Sequence, residues 1–136
     1  MRALRLTAML ALVVVAAPAA ADVKVVKGTF VGEGTYATAD GCKKRAALAA
    51  GGDRNVGTVP ETLTVDGFEG WEGGCTFTSF TEIEKDKKWK ALMHCSEGPD
   101  EGPESDIFER LPGGKLKVTV MDNATIFERC DAEKGK

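Results

Sequence analysis

Asp106 to Cys130 reads DIFERLPGGKLKVTVMDNATIFERC, and this stretch decides the fold class. At its centre Lys115-Leu116-Lys117-Val118-Thr119-Val120 alternates polar and apolar residues, the mark of a strand with one buried and one wet face. Pro112-Gly113-Gly114 precedes it and Asp122-Asn123 follows it, both turn sequences. Asp106–Leu111, Lys115–Met121 and Ala124–Cys130 are therefore three consecutive antiparallel strands. The tetrapeptide Ile-Phe-Glu-Arg occurs on both flanks, at 107–110 and 126–129. Tight turns place Phe108 and Phe127 either side of Val118 on the buried face.

Upstream, the same alternation continues. Thr62-Leu63-Thr64-Val65 leads into Asp66-Gly67, a strong hairpin signal, and Phe68 to Trp71 returns. Gly73-Gly74 bends the chain into Cys75–Ile83, rich in β-formers, and the charged tip Lys85–Lys88 turns it into Trp89–Ser96. Val23 to Val31 is apolar enough for a first strand. Lys43 to Ala50, with Asp40 as cap and Gly51-Gly52 as stop, is the one helix expected, and 53–60 reads as a loop. The fold class is mainly β. A small antiparallel meander closes as a barrel or sandwich, with one short helix and two disulfides. The barrel is preferred because consecutive strands close most simply.

Residues 1–21 read as a signal peptide. Arg2 and Arg5 give the positive start, Met9 to Ala17 the short apolar run, and Pro18 precedes the small residues Ala19-Ala20-Ala21. Cleavage before Asp22 leaves 22–136 as a single disulfide-braced β-domain of 115 residues, and losing the two arginines takes the formal charge from −3 to −5. The alanine-rich signal has a bacterial style, so the periplasm or the medium is the expected destination. No basic run suits a phosphate backbone, which argues against nucleic acid, and no apolar run in the mature part is long enough for a membrane span.

Cys42, Cys75, Cys95 and Cys130 are spaced 33, 20 and 35 residues apart, unlike zinc ligands. In an exported domain they imply two disulfides, for which three connectivities are open. If Glu84 faces Trp89 across the tip, Thr78 faces Cys95 and Cys75 lies out of reach. That register favours Cys42–Cys75 with Cys95–Cys130.

Two stretches are candidate sites. Glu69, Trp71 and Glu72 sit among glycines, where an exposed tryptophan would anchor a protein or stack on a glycan, and an inward one would plug a barrel end. Glu97, Asp100, Glu101, Glu104 and Asp106 put five carboxylates in ten residues between glycines and prolines. A flexible loop of this kind either stays solvated or wraps Ca²⁺ or a trivalent metal, which need many oxygens. His94, the only histidine, reads as a solvent-facing strand residue, since no nucleophile motif accompanies it. Lys43-Lys44-Arg45 is a solvated helix surface. Asn123-Ala124-Thr125 matches a glycosylation sequon but lies in a hairpin turn.

The set Gly-Thr-Tyr-Ala-Thr (34–38), Gly-Cys (41–42), Leu-Thr-Val-Asp-Gly-Phe (63–68), Cys75, Trp89 and Cys95 resembles small exported four-cysteine proteins of alphaproteobacteria. That resemblance implies no activity. In size, location and β-character the chain also resembles periplasmic lysozyme inhibitors. With no catalytic constellation and no cofactor motif, the expected function is a non-enzymatic binding module for a protein or glycan partner. An inhibitor of a cell-wall-degrading enzyme is one form of it, and a hard-cation protein using 97–106 is the alternative.

Overall fold

The computed structural model describes Ala16 and residues 22–51 and 60–130. The expected signal peptide and most of the expected loop 53–60 lie outside the described residues. Eight strands close a barrel in chain order: β1 (Tyr36–Ala37), β2 (Thr62–Thr64), β3 (Gly67–Glu69), β4 (Gly73–Glu84), β5 (Lys88–Glu97), β6 (Asp100–Arg110), β7 (Leu116–Val120) and β8 (Asn123–Arg129). Every neighbouring pair is antiparallel, so the meander read from the sequence closes as a barrel rather than a sandwich. Every strand has two neighbours, although β6 is paired on one side only over 100–106.

One helix, α1 (Ala39–Ala49), follows β1. Its cap is Thr38, whose hydroxyl accepts the Gly41 N–H, and the expected cap Asp40 lies in the first turn instead. Both positions place a carboxylate or hydroxyl where the helix has unpaired N–H groups. The two tight hairpins begin one residue earlier than expected. Thr64 pairs with Gly67 around Val65-Asp66, and Val120 with Asn123 around Met121-Asp122. Gly67 is obligatory at its place: its φ is 133°, and a Cβ there would stand 1.8 Å from the Cys75 carbonyl oxygen.

The alternation of β7 works as read. Leu116 and Val118 are buried, while Lys115 and Lys117 point outward and pair with Glu128 and Glu109. Both Ile-Phe-Glu-Arg copies flank β7, with Phe108 opposite Val118 as expected, but the earlier turn puts Phe127 opposite Leu116 and Thr125 opposite Val118. The Lys117 ammonium, bonded to Glu109, holds that carboxyl below its ordinary range.

Three expectations are corrected. The Val23–Val31 segment is not a barrel strand. It crosses one end as a strap, with the Val26 N–H donating to the Phe77 carbonyl and the Gly28 N–H to the Val65 carbonyl. Its Phe30 is the plug, packed against Phe77, Phe80, Trp89 and Phe108 with ring centroids 5.0–5.5 Å apart. The guanidinium of Arg110 lies over Trp89 and donates to the Phe30 carbonyl, fastening the strap.

The disulfides are Cys42–Cys130 and Cys75–Cys95, not the expected pairs. The β4–β5 hairpin carries irregularities at Phe77/Ser79 and Glu82/Glu84, each shifting the register, and its tip pairs Glu84 with Lys88. Together they bring Cys75 opposite Cys95.

Residues 97–106 are not a flexible loop. Asp100–Asp106 continue β6, pairing with β5 as far as Glu97↔Asp100. Pro103 is tolerated because β7 pairs with β6 only from Ile107 onward. One side of the strand is therefore free of hydrogen-bonding demands there.

Candidate functional site

The barrel end opposite the Phe30 plug is open. It is ringed by the β3–β4 loop, the β5–β6 turn, the start of β2 and the hairpin of β7 and β8. Glycine lets the first two approach: the Gly98 N–H donates to the Glu72 carbonyl, tying the tryptophan loop to the acidic turn. The two stretches singled out separately in the sequence therefore meet at one mouth. It is a cavity of about 670 Å³ lined by Trp71, the Cys75–Cys95 disulfide and six carboxylates, Glu61, Glu72, Glu97, Asp100, Glu101 and Glu104. Among the described residues no lysine or arginine lines it. Trp71 is 67 % exposed, so its ring serves the rim and Phe30 closes the far end.

Strand parity sorts the acids. On β6 the buried Phe108 sets the inward face, which Asp106, Glu104 and Asp100 share, whereas Glu101 points outward. Glu101 hydrogen-bonds His94 of β5, which also faces outward, opposite the Trp89, Ala91, Met93 and Cys95 face. That contact makes His94 part of a surface pair with Glu101. Glu69 is exposed and lines a separate hollow beside His94 rather than the mouth.

Beneath the mouth lies a second chamber of about 210 Å³, sharing Glu61, Phe68, Cys75 and Glu104 with it. Its floor is Phe68, Val118 and Phe127. Asp106 opens into it and is the one charged residue buried among the described residues, at 5 % exposure. Burial first, then the charges of Glu104 and Glu61, push its carboxyl up from 3.8 to about 6. Glu61 is also raised, by burial. Sequence reasoning missed Glu61, although parity identifies it: Leu63 faces inward, so the residue two places earlier does as well.

The sign of the Asp106 shift is testable. The folded state holds the proton more tightly than the unfolded chain, so stability falls as pH rises from about 4 through about 6. The full shift corresponds to an upper value of about 3 kcal/mol. Asp106→Asn removes the ionisation and is expected to raise the unfolding free energy by about 1–3 kcal/mol at pH 7.5 and hardly at pH 4. Urea denaturation at the two pH values checks this. Destabilisation at pH 7.5 would contradict it.

Metal ligation follows from the same geometry. Among the described residues the one group of three candidate ligand atoms within 4.8 Å of one another is Cys75, Cys95 and Glu104. The two sulfurs are bonded to each other and offer no thiolate. Of the five acids of 97–106, Glu97 ends β5, Asp100, Glu104 and Asp106 are strung along the inward face of β6, and Glu101 faces outward, which spreads their oxygens.

Fold and site together define a disulfide-braced eight-stranded barrel with one plugged end and one acidic, tryptophan-bearing mouth. No protein-family model matches the chain, and no curated protein or solved structure does so either.

Proposed function

We propose that the protein is a non-enzymatic binding module whose open mouth takes a basic partner protein, in the periplasm or outside the cell. An inhibitor of a cationic cell-wall-degrading enzyme is the concrete form. The observation that carries this reading is the exposed Trp71 beside six carboxylates with no basic residue in the lining. Such a rim attracts cations over several ångströms, and an exposed indole supplies a face for a guanidinium or ammonium. A glycan would need neutral donors and acceptors, which this rim offers less. Two disulfides fit an oxidising compartment, and no helix among the described residues is long and apolar enough to cross a membrane.

The test is lysis of bacterial cell walls by a basic lysozyme in the presence of excess protein, alongside calorimetry at low and high salt. Inhibition and salt-sensitive binding are expected, and undiminished lysis with no heat would end the reading. Trp71→Ala is expected to weaken the complex by about 30-fold, the loss typical of an aromatic anchor, while leaving the unfolding free energy within about 0.5 kcal/mol. Calorimetry and urea denaturation of the variant check both halves.

A further inference from the structure

We propose that the chamber beneath the mouth is a binding site for an organic ammonium group. Asp106 is an unpartnered carboxylate sunk below the surface. No hydrogen bond from a described residue reaches it, and no fully buried side-chain oxygen is left unpaired, so its oxygens open onto the chamber. A carboxylate in that position favours a ligand that brings both charge and donors. Glu104 lies two places away on the same face of β6, and Glu61 reaches in from the start of β2. The other elements around Asp106 add no charge: Val118 and Val120 come from β7, Thr125 and Phe127 from β8.

The walls decide the kind of cation. A hard metal ion requires six or more crowded oxygens, and no three carboxylates here bring theirs within 4.8 Å of one another. An ammonium does not need three oxygens gathered at one point: Asp106 accepts one of its three donors, water or a neighbouring carboxylate takes the others, and it carries an alkyl chain that the aromatic floor can cover. The chamber's 210 Å³ is roughly seven water volumes, far more than a bare ion fills and enough for a short alkylammonium. Phe68 and Phe127, with ring centroids 5.7 Å apart, present faces and edges to that chain.

An ammonium of this type comes from a lysine side chain or from a free polyamine. The lysine source rests on the basic-partner reading above and the polyamine source does not, so amine binding and enzyme binding fail separately. The experiment titrates the mature disulfide-bonded protein at pH 7.5 with cadaverine, Nα-acetyl-lysine amide, 1-pentanol and calcium chloride. Calorimetry and amide chemical shifts are the readouts. Saturable binding of an amine, absent with pentanol, supports the site, with shifts at Val118, Thr125 and Phe127. Binding of the lysine derivative assigns a partner side chain, and binding of the diamine alone assigns a free polyamine. Asp106→Asn is expected to weaken amine binding about tenfold or more, and Glu104→Gln, at an exposed position that folding does not depend on, to weaken it several-fold. No amine binding, binding unchanged in both variants, or tight calcium binding without amine binding overturns the proposal.

Discussion

Replacing Cys42 and Cys130 together by serine is expected to lower the unfolding free energy by about 4.6 kcal/mol, against about 3.3 kcal/mol for the Cys75 and Cys95 pair. The ranking follows from loop length. Cys42–Cys130 spans 88 residues and Cys75–Cys95 spans 20, and the entropy withheld from the unfolded chain grows with the logarithm of that span. Position strengthens the argument. The barrel closes through β1, a two-residue strand that pairs with β2 at Tyr36↔Leu63 and with β8 at Tyr36↔Arg129 and Ala37↔Glu128. These are few hydrogen bonds for a seam. The Cys42–Cys130 bridge ties α1 to the end of β8 just beyond it, and the Cys130 N–H donates to the Thr35 carbonyl. Without the bridge, β8 peels from β1 before the remaining strands part. Urea denaturation of the two double variants measures the ranking, and hydrogen exchange at Tyr36 and Ala37 reports the seam. Equal losses, or a larger loss for Cys75 and Cys95, would show that the seam holds without its staple.

The missed pairing shows where sequence reading stops. Alternation in 115–120 fixed which face of β7 is buried, because period-two patterning is a property of neighbouring residues. Pairing across the β4–β5 hairpin depends instead on two bulges and a tip geometry with Asp86 at φ 54°, and none of these leaves a distinct residue signature. Cys42 was still less legible, since its partner is decided by barrel closure and not by any local pattern. The site divides the same way. Trp71 and the acids of 97–106 stand out by composition, and parity alone would have added Glu61. Their convergence needs the Gly98–Glu72 hydrogen bond between two turns. The other end is filled by Phe30, from a segment whose apolar pattern suits a strand and a strap equally. The prolines and glycines of 97–106 signalled a loop because they weaken a doubly paired strand. They are accommodated in one paired on a single side.

Phe108→Ala is expected to cost about 3–5 kcal/mol, about a fifth or more of the stability of a typical domain. The ring is fully buried and meets Phe30 at 5.0 Å, Phe77 at 5.7 Å and Phe68 at 5.9 Å between centroids. Phe30 belongs to the strap over one end and Phe68 to the floor of the chamber at the other, so this one side chain joins the plug to the site. Its removal leaves a void walled by three rings that cannot all move inward, because Phe77 is pinned under Gly28, where a Cβ would stand 2.6 Å from the ring. Phe108→Leu keeps most of the volume and is expected to cost about 1 kcal/mol. The repeated tetrapeptide supplies an internal control: Ile126 is 41 % exposed on the outer face, and Ile126→Ala is expected to change stability by no more than about 0.5 kcal/mol. Urea midpoints with unchanged m-values measure all three. Amine titration of the Phe108→Ala protein tests the link to the site, since a floor that has lost its backing should bind several-fold more weakly. A loss below about 1 kcal/mol for Phe108→Ala would mean that the two ends of the barrel are packed independently.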